Sequence, residues 1–337
     1  MRRLTHVQTG RASEPAPCHR RALLIAGGVF MGFNARAEGG WPIRPVRYIN
    51  PFPAGGPTDT LSRIVCQHLA EMTGQQFVVE NKSGMGGNIG VDAIAKSSPD
   101  GYTIGLFTQA SHAIAPTLYS KLPFDPEKDF TVIGLLYQVP YVLLARNDFP
   151  GKTVPELIAM AKAKPGKYTY GSAGAGTTPH LIGELFKQRA GIDIVHVPYR
   201  GGAPATQDLL AGQVDLMFDN VAGHLARNRA KKLQCLGVAT LERMLAAPEI
   251  PTIAEYLPGF DMPGWGGICG PAGLPSAMIE KASGLISNAA QTESLKTAYS
   301  NLGAKAVWKN PADTLAFVRN DAQRLAPIIK ASGAKVD

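Results

Sequence analysis

No stretch of this 337-residue sequence carries 18 or more consecutive apolar residues, so none reaches the ~20 that a helix needs to span a bilayer. The apolar run over 22–33 is only 12 residues long. Cysteine is scarce, with four in the chain, Cys18, Cys66, Cys235 and Cys269. Cys18 precedes the apolar run instead of closing it, which excludes a lipid anchor there. The other three are an odd number, far apart and in apolar contexts, so they form no disulfide framework. Buried thiols are the favoured reading over one bridge plus a free thiol, and spacing does not decide whether Cys235 and Cys269 pair. There is no repeat of 20–50 residues and no low-complexity linker.

Nucleotide, hydrolase and metal signatures are missing too. Gly84-Met-Gly-Gly-Asn-Ile-Gly90 has its last glycine one place late for G-x-G-x-x-G. Gly174-Ala-Gly-Thr-Thr-Pro179 puts proline where the final glycine belongs, and no P-loop occurs. There is no G-x-S-x-G elbow, since Gly171-Ser172 has the wrong spacing. His112, His180, His196 and His224 are scattered, with no H-x-x-x-H or C-x-x-C pairing for a metal. These absences argue against a nucleotide cofactor, a metal centre and a familiar hydrolytic site.

What is present begins at the N-terminus. Residues 1–21 hold five arginines against Glu14; the apolar run follows, and then Ala35-Arg-Ala37. Basic, apolar, small-x-small is the order of a secretory signal peptide. The reading is a signal over 1–37, cleavage near Ala37 and export, with His19-Arg-Arg-Ala-Leu-Leu24 hinting at the twin-arginine route. The chain has 34 Lys+Arg against 26 Asp+Glu, a net charge of +8. Six arginines and one glutamate in 1–37 account for five of those charges, leaving 28 against 25. So mild an excess, spread along the chain, is no nucleic-acid footprint.

From Trp41 onward, short β-branched or aromatic runs alternate with helical patterns. Strands are expected over 46–50, 76–80, 103–107, 141–145, 168–170, 194–197, 214–218 and 234–239. Helices are expected over 59–72, 88–95, 153–164, 181–189 and 203–211. The region 275–330 reads as helical apart from a short strand near 304–308. This alternation makes an α/β protein of parallel sheets with crossover helices, in two blocks that suggest lobes joined by strands.

Each block has one glycine-rich turn between a strand and a helix, where open parallel sheets bind ligands. The first is Pro53-Ala-Gly-Gly-Pro-Thr-Asp59, with Thr58 or Asp59 as helix cap. The second is Gly171-Ser-Ala-Gly-Ala-Gly-Thr-Thr178, adding the hydroxyls of Ser172, Thr177 and Thr178. Glycines admit close backbone approach, and a helix N-terminus offers unpaired N–H groups to an anion. Each end is worth roughly 0.3–1 kcal/mol, up to about 2 when partly buried, and each charge-assisted hydrogen bond about 1.5–3. Two facing turns therefore reach about −8 kcal/mol, micromolar affinity, without Lys or Arg. Asp219 ends a strand, where it either faces a cleft or caps a turn. Trp265 either closes over a ligand or packs in a core or hinge.

The string of turns resembles the periplasmic substrate-binding proteins of tripartite tricarboxylate transporters, the Bug family. The resemblance covers about 41–330. It rests on Pro51-Phe-Pro-Ala-Gly-Gly-Pro-Thr-Asp59, Val79-Glu-Asn-Lys82 with Gly86-Gly-Asn-Ile-Gly90, Pro99-Asp-Gly-Tyr-Thr103 and Leu122-Pro-Phe-Asp-Pro126. It continues through Gly171-Ser-Ala-Gly-Ala-Gly-Thr-Thr-Pro-His-Leu181, Val197-Pro-Tyr-Arg-Gly-Gly202 and Pro248-Glu-Ile-Pro-Thr252.

The resemblance implies a two-lobed Venus-flytrap fold, each lobe a mixed, mostly parallel sheet flanked by helices. Lobe one would comprise 38–138 plus 263–337, and lobe two 139–262. It implies a monomer that captures a mono- or dicarboxylate, delivers it to membrane transporter subunits, and is not an enzyme. One ligand carboxylate would be gripped by Ala54, Gly55, Gly56, Thr58 and Asp59 from lobe one. Lobe two would add Ser172, Gly174, Gly176, Thr177 and Thr178, with Tyr199 and Asp219 beside them. A third contact would come from Thr108 in Thr108-Gln-Ala-Ser111, which is bulkier than the glycine- and threonine-rich turn usual there. A partner of a signalling receptor, or an α/β enzyme acting on a carboxylate, are the alternatives.

Overall fold

The computed structural model describes residues 40–334 and Val336; the signal peptide expected over 1–37 lies outside them, as does Cys18. Eleven strands form two sheets among these residues. β1 (Val46–Asn50), β2 (Phe77–Asn81), β3 (Thr103–Thr108), β4 (Phe130–Val139), β10 (Gly264–Pro271) and β11 (Lys305–Lys309) make the first, in the order β11-β4-β10-β3-β1-β2. β5 (Tyr141–Arg146), β6 (Thr169–Ser172), β7 (Val195–Pro198), β8 (Leu216–Asn220) and β9 (Leu233–Val238) make the second, in the order β7-β6-β8-β5-β9. Only Pro140 separates β4 from β5, and the chain returns between Val238 and Gly264.

The sheets are mixed, as expected, but parallel pairs do not dominate. In the first, β1 pairs in parallel with β2 and β3, while β10 runs antiparallel to β3 and β4, and β11 antiparallel to β4. In the second, β6 is parallel to β7 and β8, and β5 is antiparallel to β8 and β9. The antiparallel pairs come from β10 and β11 in the first sheet and β5 in the second, which run against the remaining strands of their sheets; β4, which leads out of the first sheet, keeps the direction of β1, β2 and β3. β4 and β10 escape a reading by pattern because both are buried throughout or nearly so. β10 also carries four glycines; side chains at Gly266 and Gly267 would collide with the rings of Tyr137 and Phe107.

Strand residues alternate between two apolar layers. On one face of the first sheet, Tyr48, Ile104 and Leu136 pack with Leu61, Val65 and Leu69 of α1 (Pro57–Thr73) and with Ile286 and Leu295 of α8 (Ser276–Gln291) and α9 (Glu293–Asn301). On the other, Ile49, Phe107 and Leu135 meet Val91 and Ile94 of α2 (Asn88–Ala95) and Val318 and Leu325 of α10 (Pro311–Ser332). In the second sheet, Leu144 and Met217 face α6 (Gly202–Leu210) through Ala205 and Leu209. Leu143 and Phe218 face α4 (Val154–Ala163) and α5 (Thr178–Ala190) through Leu157, Leu181 and Phe186. A short α3 (Ala115–Leu118) follows a π-helical turn at Ala110–Ile114, and α7 (His224–Arg229) follows β8. Cys66, Cys235 and Cys269 are all free thiols.

Candidate functional site

The helices after the glycine turns start earlier than their apolar spacing suggests. α1 begins at Pro57 with Gly56 as N-cap, α5 at Thr178 with Thr177, and α6 at Gly202 with Gly201. None of the three caps uses a side chain, so the first-turn N–H groups are left for other partners. All three ends converge on one pocket. It is lined by Gly56, Pro57 and Thr58 from α1, Thr177, Thr178 and Pro179 from α5, and Gly202 from α6. The facing ends are close: a side chain at Gly201 would overlap the Pro53 ring, and one at Gly56 would sit 3.9 Å from the Ala203 Cβ.

The rest of the wall comes from where the chain crosses between sheets. Val139 and Tyr141 flank Pro140, Trp265 opens the return, and Thr108, Ala110, Tyr137 and Phe52 complete the apolar side. The free volume is about 30 Å³, room for about two waters at ~10–15 Å³ each. Among the described residues that line it, none is a lysine or arginine and Asp219 is the sole carboxylate. Thr178 is 1% exposed, and its hydroxyl makes no hydrogen bond of good geometry. It lies close enough to the Tyr141 phenol to bear on that group's acidity, which burial pushes up.

Asp219 occupies the opposite side. Its Oδ1 accepts the Asn220 N–H (2.8 Å), and its Oδ2 lies 3.2 Å from His224 Nε2. A side chain at Gly202 would collide with Oδ2, so the carboxylate rests on the start of α6 and offsets the field of that helix. The pocket thus has a donor side, at α1 and α5, and an acceptor side, at Asp219.

The residues expected from sequence separate into two groups. Gly56, Thr58, Thr108, Thr177, Thr178 and Asp219 line the pocket together. Gly174 and Tyr199 instead border an outer hollow, and Gly55 borders a third recess beside α6. Ala54, Asp59, Ser172 and Gly176 line none of these. Asp59 is spent on its own loop. It accepts from Gly55 N (2.9 Å), Arg63 Nε (2.9 Å) and Asn81 Nδ2 (2.8 Å). Burial works to raise its pKa, yet these three donors hold the carboxyl below its ordinary value. Ser172, fully buried, pairs with His196 Nε2 (2.7 Å) and accepts from Gly174 N (3.1 Å). Burial, with His180 stacked at 4.3 Å, lowers the His196 imidazole to about 3. Gly176 donates to His180 Nδ1 (3.2 Å) at φ 79°, and a side chain there would overlap Tyr119. Tyr199 donates to Asp208 (2.7 Å), and burial with that partner pushes its phenol up to about 12. These groups shape the two turns; they do not face the pocket.

Sequence reasoning missed the start of α6, Phe52, Tyr137, Tyr141 and Asn220. Gly201-Gly202 after a strand was the one available signal, since it repeats the strand–glycine–helix form of the other two turns.

The model of the tripartite tricarboxylate transporter family receptor matches residues 61–334. The chain belongs to this family. Among its relatives, BugT of Bordetella pertussis is 34% identical over 298 residues, 88% of this chain and 91% of BugT. Among solved structures, R. palustris Rpa4515 with adipate is 33% identical with a TM-score of 0.86, covering 88% of this chain and 100% of that one. MatC from Rhodopseudomonas palustris with bound malate is 30% identical with a TM-score of 0.79, covering 86% and 100%. The fold is that of the periplasmic binding proteins, and this receptor is a solute-binding protein of the Bug type.

Proposed function

We propose that this receptor is exported to the periplasm, closes around a small carboxylate and delivers it to the membrane subunits of a tripartite tricarboxylate-type transporter. The observation that carries the reading is the meeting of the α1 and α5 N-termini, one from each sheet, in a pocket without a cation. Such ends bind anions through backbone N–H groups, and Gly56, Thr58, Thr177 and Thr178 supply the contacts. Thr108 closes one edge, and Asp219 accepts from a hydroxyl or other donor on the ligand body. Ala54, Gly55, Asp59, Ser172, Gly174, Gly176 and Tyr199 hold the turns in shape. The first lobe is 38–138 with 263–337 and the second 139–262, pivoting where β4 meets β5 and where β10 returns. The adipate and malate bound to Rpa4515 and MatC support a carboxylate ligand.

The role is binding without catalysis. Ser172 and His196 are the nearest thing to a nucleophile and base, but the serine is fully buried and lies outside the pocket. A thermal-shift screen tests the reading with adipate and malate against their neutral diamides. A carboxylate at 100 times its dissociation constant should add about 2.7 kcal/mol, and the amide nothing. Equal stabilisation by acid and amide would remove the anion site from the proposal.

A further inference from the structure

Helix α10 carries an acid that the pocket itself does not use. Asp321 is 8% exposed, and both of its oxygens are engaged. Oδ2 accepts the Gln109 amide (2.8 Å) and the Trp265 indole N–H (2.8 Å). Oδ1 accepts Arg324 through Nε (3.0 Å) and Nη2 (2.7 Å). Each partner leads to a different place. Trp265 lines the pocket, its ring edge-on to Phe107 and Phe317 at 5.7 and 5.6 Å. Gln109 sits between the pocket residues Thr108 and Ala110 and donates to the Pro263 carbonyl (2.9 Å). Arg324 donates to the Asp261 carbonyl (3.2 Å). Asp261 and Pro263 flank Met262, whose N–H bonds Ala239 O (2.7 Å) as the chain returns from the second sheet to the first.

A buried indole N–H needs an acceptor, and satisfying it fixes the ring plane. Bonds to an ionised acceptor are roughly twice as strong as neutral ones. One carboxylate therefore sets the pocket wall and the returning strand at once, because moving either against α10 stretches bonds to the same two oxygens. Asparagine cannot replace it. With a single acceptor oxygen, it turns an NH₂ toward either the Arg324 guanidinium or the Trp265 and Gln109 donors.

We infer that Asp321 is a positioning residue for ligand binding: it holds Trp265 in place as a wall of the pocket and fixes the returning strand on α10, so that pocket shape and pivot are set together. It touches no ligand, and the inference rests on the pocket above being the ligand site.

The test uses the whole protein with Trp41→Phe and Trp308→Phe, which leaves Trp265 as the single emitter of the three tryptophans. In that background Asp321→Leu, which removes both acceptors, shifts the emission maximum, opens Trp265 to acrylamide quenching and raises the radius of gyration of the free protein in X-ray scattering. In the otherwise native chain it weakens adipate binding by about tenfold or more in calorimetry, the equivalent of one charge-assisted hydrogen bond. Arg324→Gln keeps the Trp265 and Gln109 bonds and leaves the emission as in the parent. Emission and radius of gyration unchanged in Asp321→Leu would overturn the inference. Should Asp321→Leu fail to fold, Trp265→Phe puts a smaller aromatic ring without the N–H in its place, and an unchanged adipate affinity there would overturn it equally. A parent that binds no carboxylate defeats the proposed function, while the emission and scattering arms still decide the role of Asp321.

Discussion

Replacing Thr178 by valine removes one hydroxyl and nearly keeps the shape. With the α1 and α5 ends together, that hydroxyl is buried, and its polar neighbour, the Tyr141 phenol, makes no well-aligned hydrogen bond with it. A buried polar group without a good partner costs about 1–3 kcal/mol, so Thr178→Val leaves the protein as stable as before or raises its stability by about 1–2 kcal/mol. At the α5 N-terminus the same hydroxyl is placed to bond a carboxylate, and a hydrogen bond to a charged group is worth about 1.5–3 kcal/mol. Its loss should weaken ligand binding by roughly 10- to 150-fold. Stability and affinity thus move in opposite directions, which ordinary damage to a binding site does not produce. Calorimetry with adipate or malate gives the affinity, and urea denaturation of the ligand-free protein gives the stability. A variant that loses stability while keeping its affinity would refute the assignment of Thr178 as a ligand contact.

Asp59→Ala behaves differently, because it strips the acceptor from Gly55 N, Asn81 and Arg63 together. Urea midpoints should show a loss of about 1–3 kcal/mol, and affinity should fall with stability as the α1 turn loosens. The pH dependence follows from two histidines: burial lowers His112 and His196 from 6.5 to about 3, so between those values the unfolded chain binds protons that the folded chain does not. Stability is full above pH 6.5 and declines as pH falls, by about 2 kcal/mol per histidine between pH 6.5 and 5. Urea titrations at pH 7 and pH 5 check this, and equal midpoints would contradict it.

The fold was largely legible because βα units leave a strong period, from Val46–Asn50 through α1 to Phe77–Asn81. It failed at β4 and β10, whose residues are buried on both faces and so show no alternation. For the site, the sequence indicated which turns matter and not which way each residue points. Asp59 and Ser172 looked like ligand groups because carboxylates and hydroxyls in glycine turns suit polar contacts; their partners are Arg63, Asn81 and His196. Asn81 is 22 residues from Asp59, and His196 is 24 from Ser172. The coupling of Trp265 to Asp321, 56 residues apart, was beyond any local pattern. Thr178 lines the pocket as the sequence suggested, one place inside the α5 cap at Thr177.

The two donor ends that meet at the pocket belong to different sheets: α1 follows β1 of the first, α5 follows β6 of the second. On the proposed function, a carboxylate held by one sheet alone gains one N-terminus, and closure adds the other with its threonine. That difference, about 2 kcal/mol or more from the added end and hydroxyl, is what lets a ligand favour the closed form over the open one. Closure also demands that the facing surfaces fit, and Gly56 opposite Ala203 leaves room for a methyl and little more, since one at Gly56 would already touch the Pro53 carbonyl at 3.4 Å and the Ala203 Cβ at 3.9 Å. Ala203→Phe places a ring in that gap from a half-buried position at the start of α6. It should hold the sheets apart, raise the radius of gyration of the ligand-saturated protein and weaken binding by about thirtyfold, the 2 kcal/mol that closure supplies, with the urea midpoint of the free protein little changed. An Ala203→Phe variant that binds adipate or malate as tightly as the parent would show that ligand affinity does not depend on the meeting of α1 with α6.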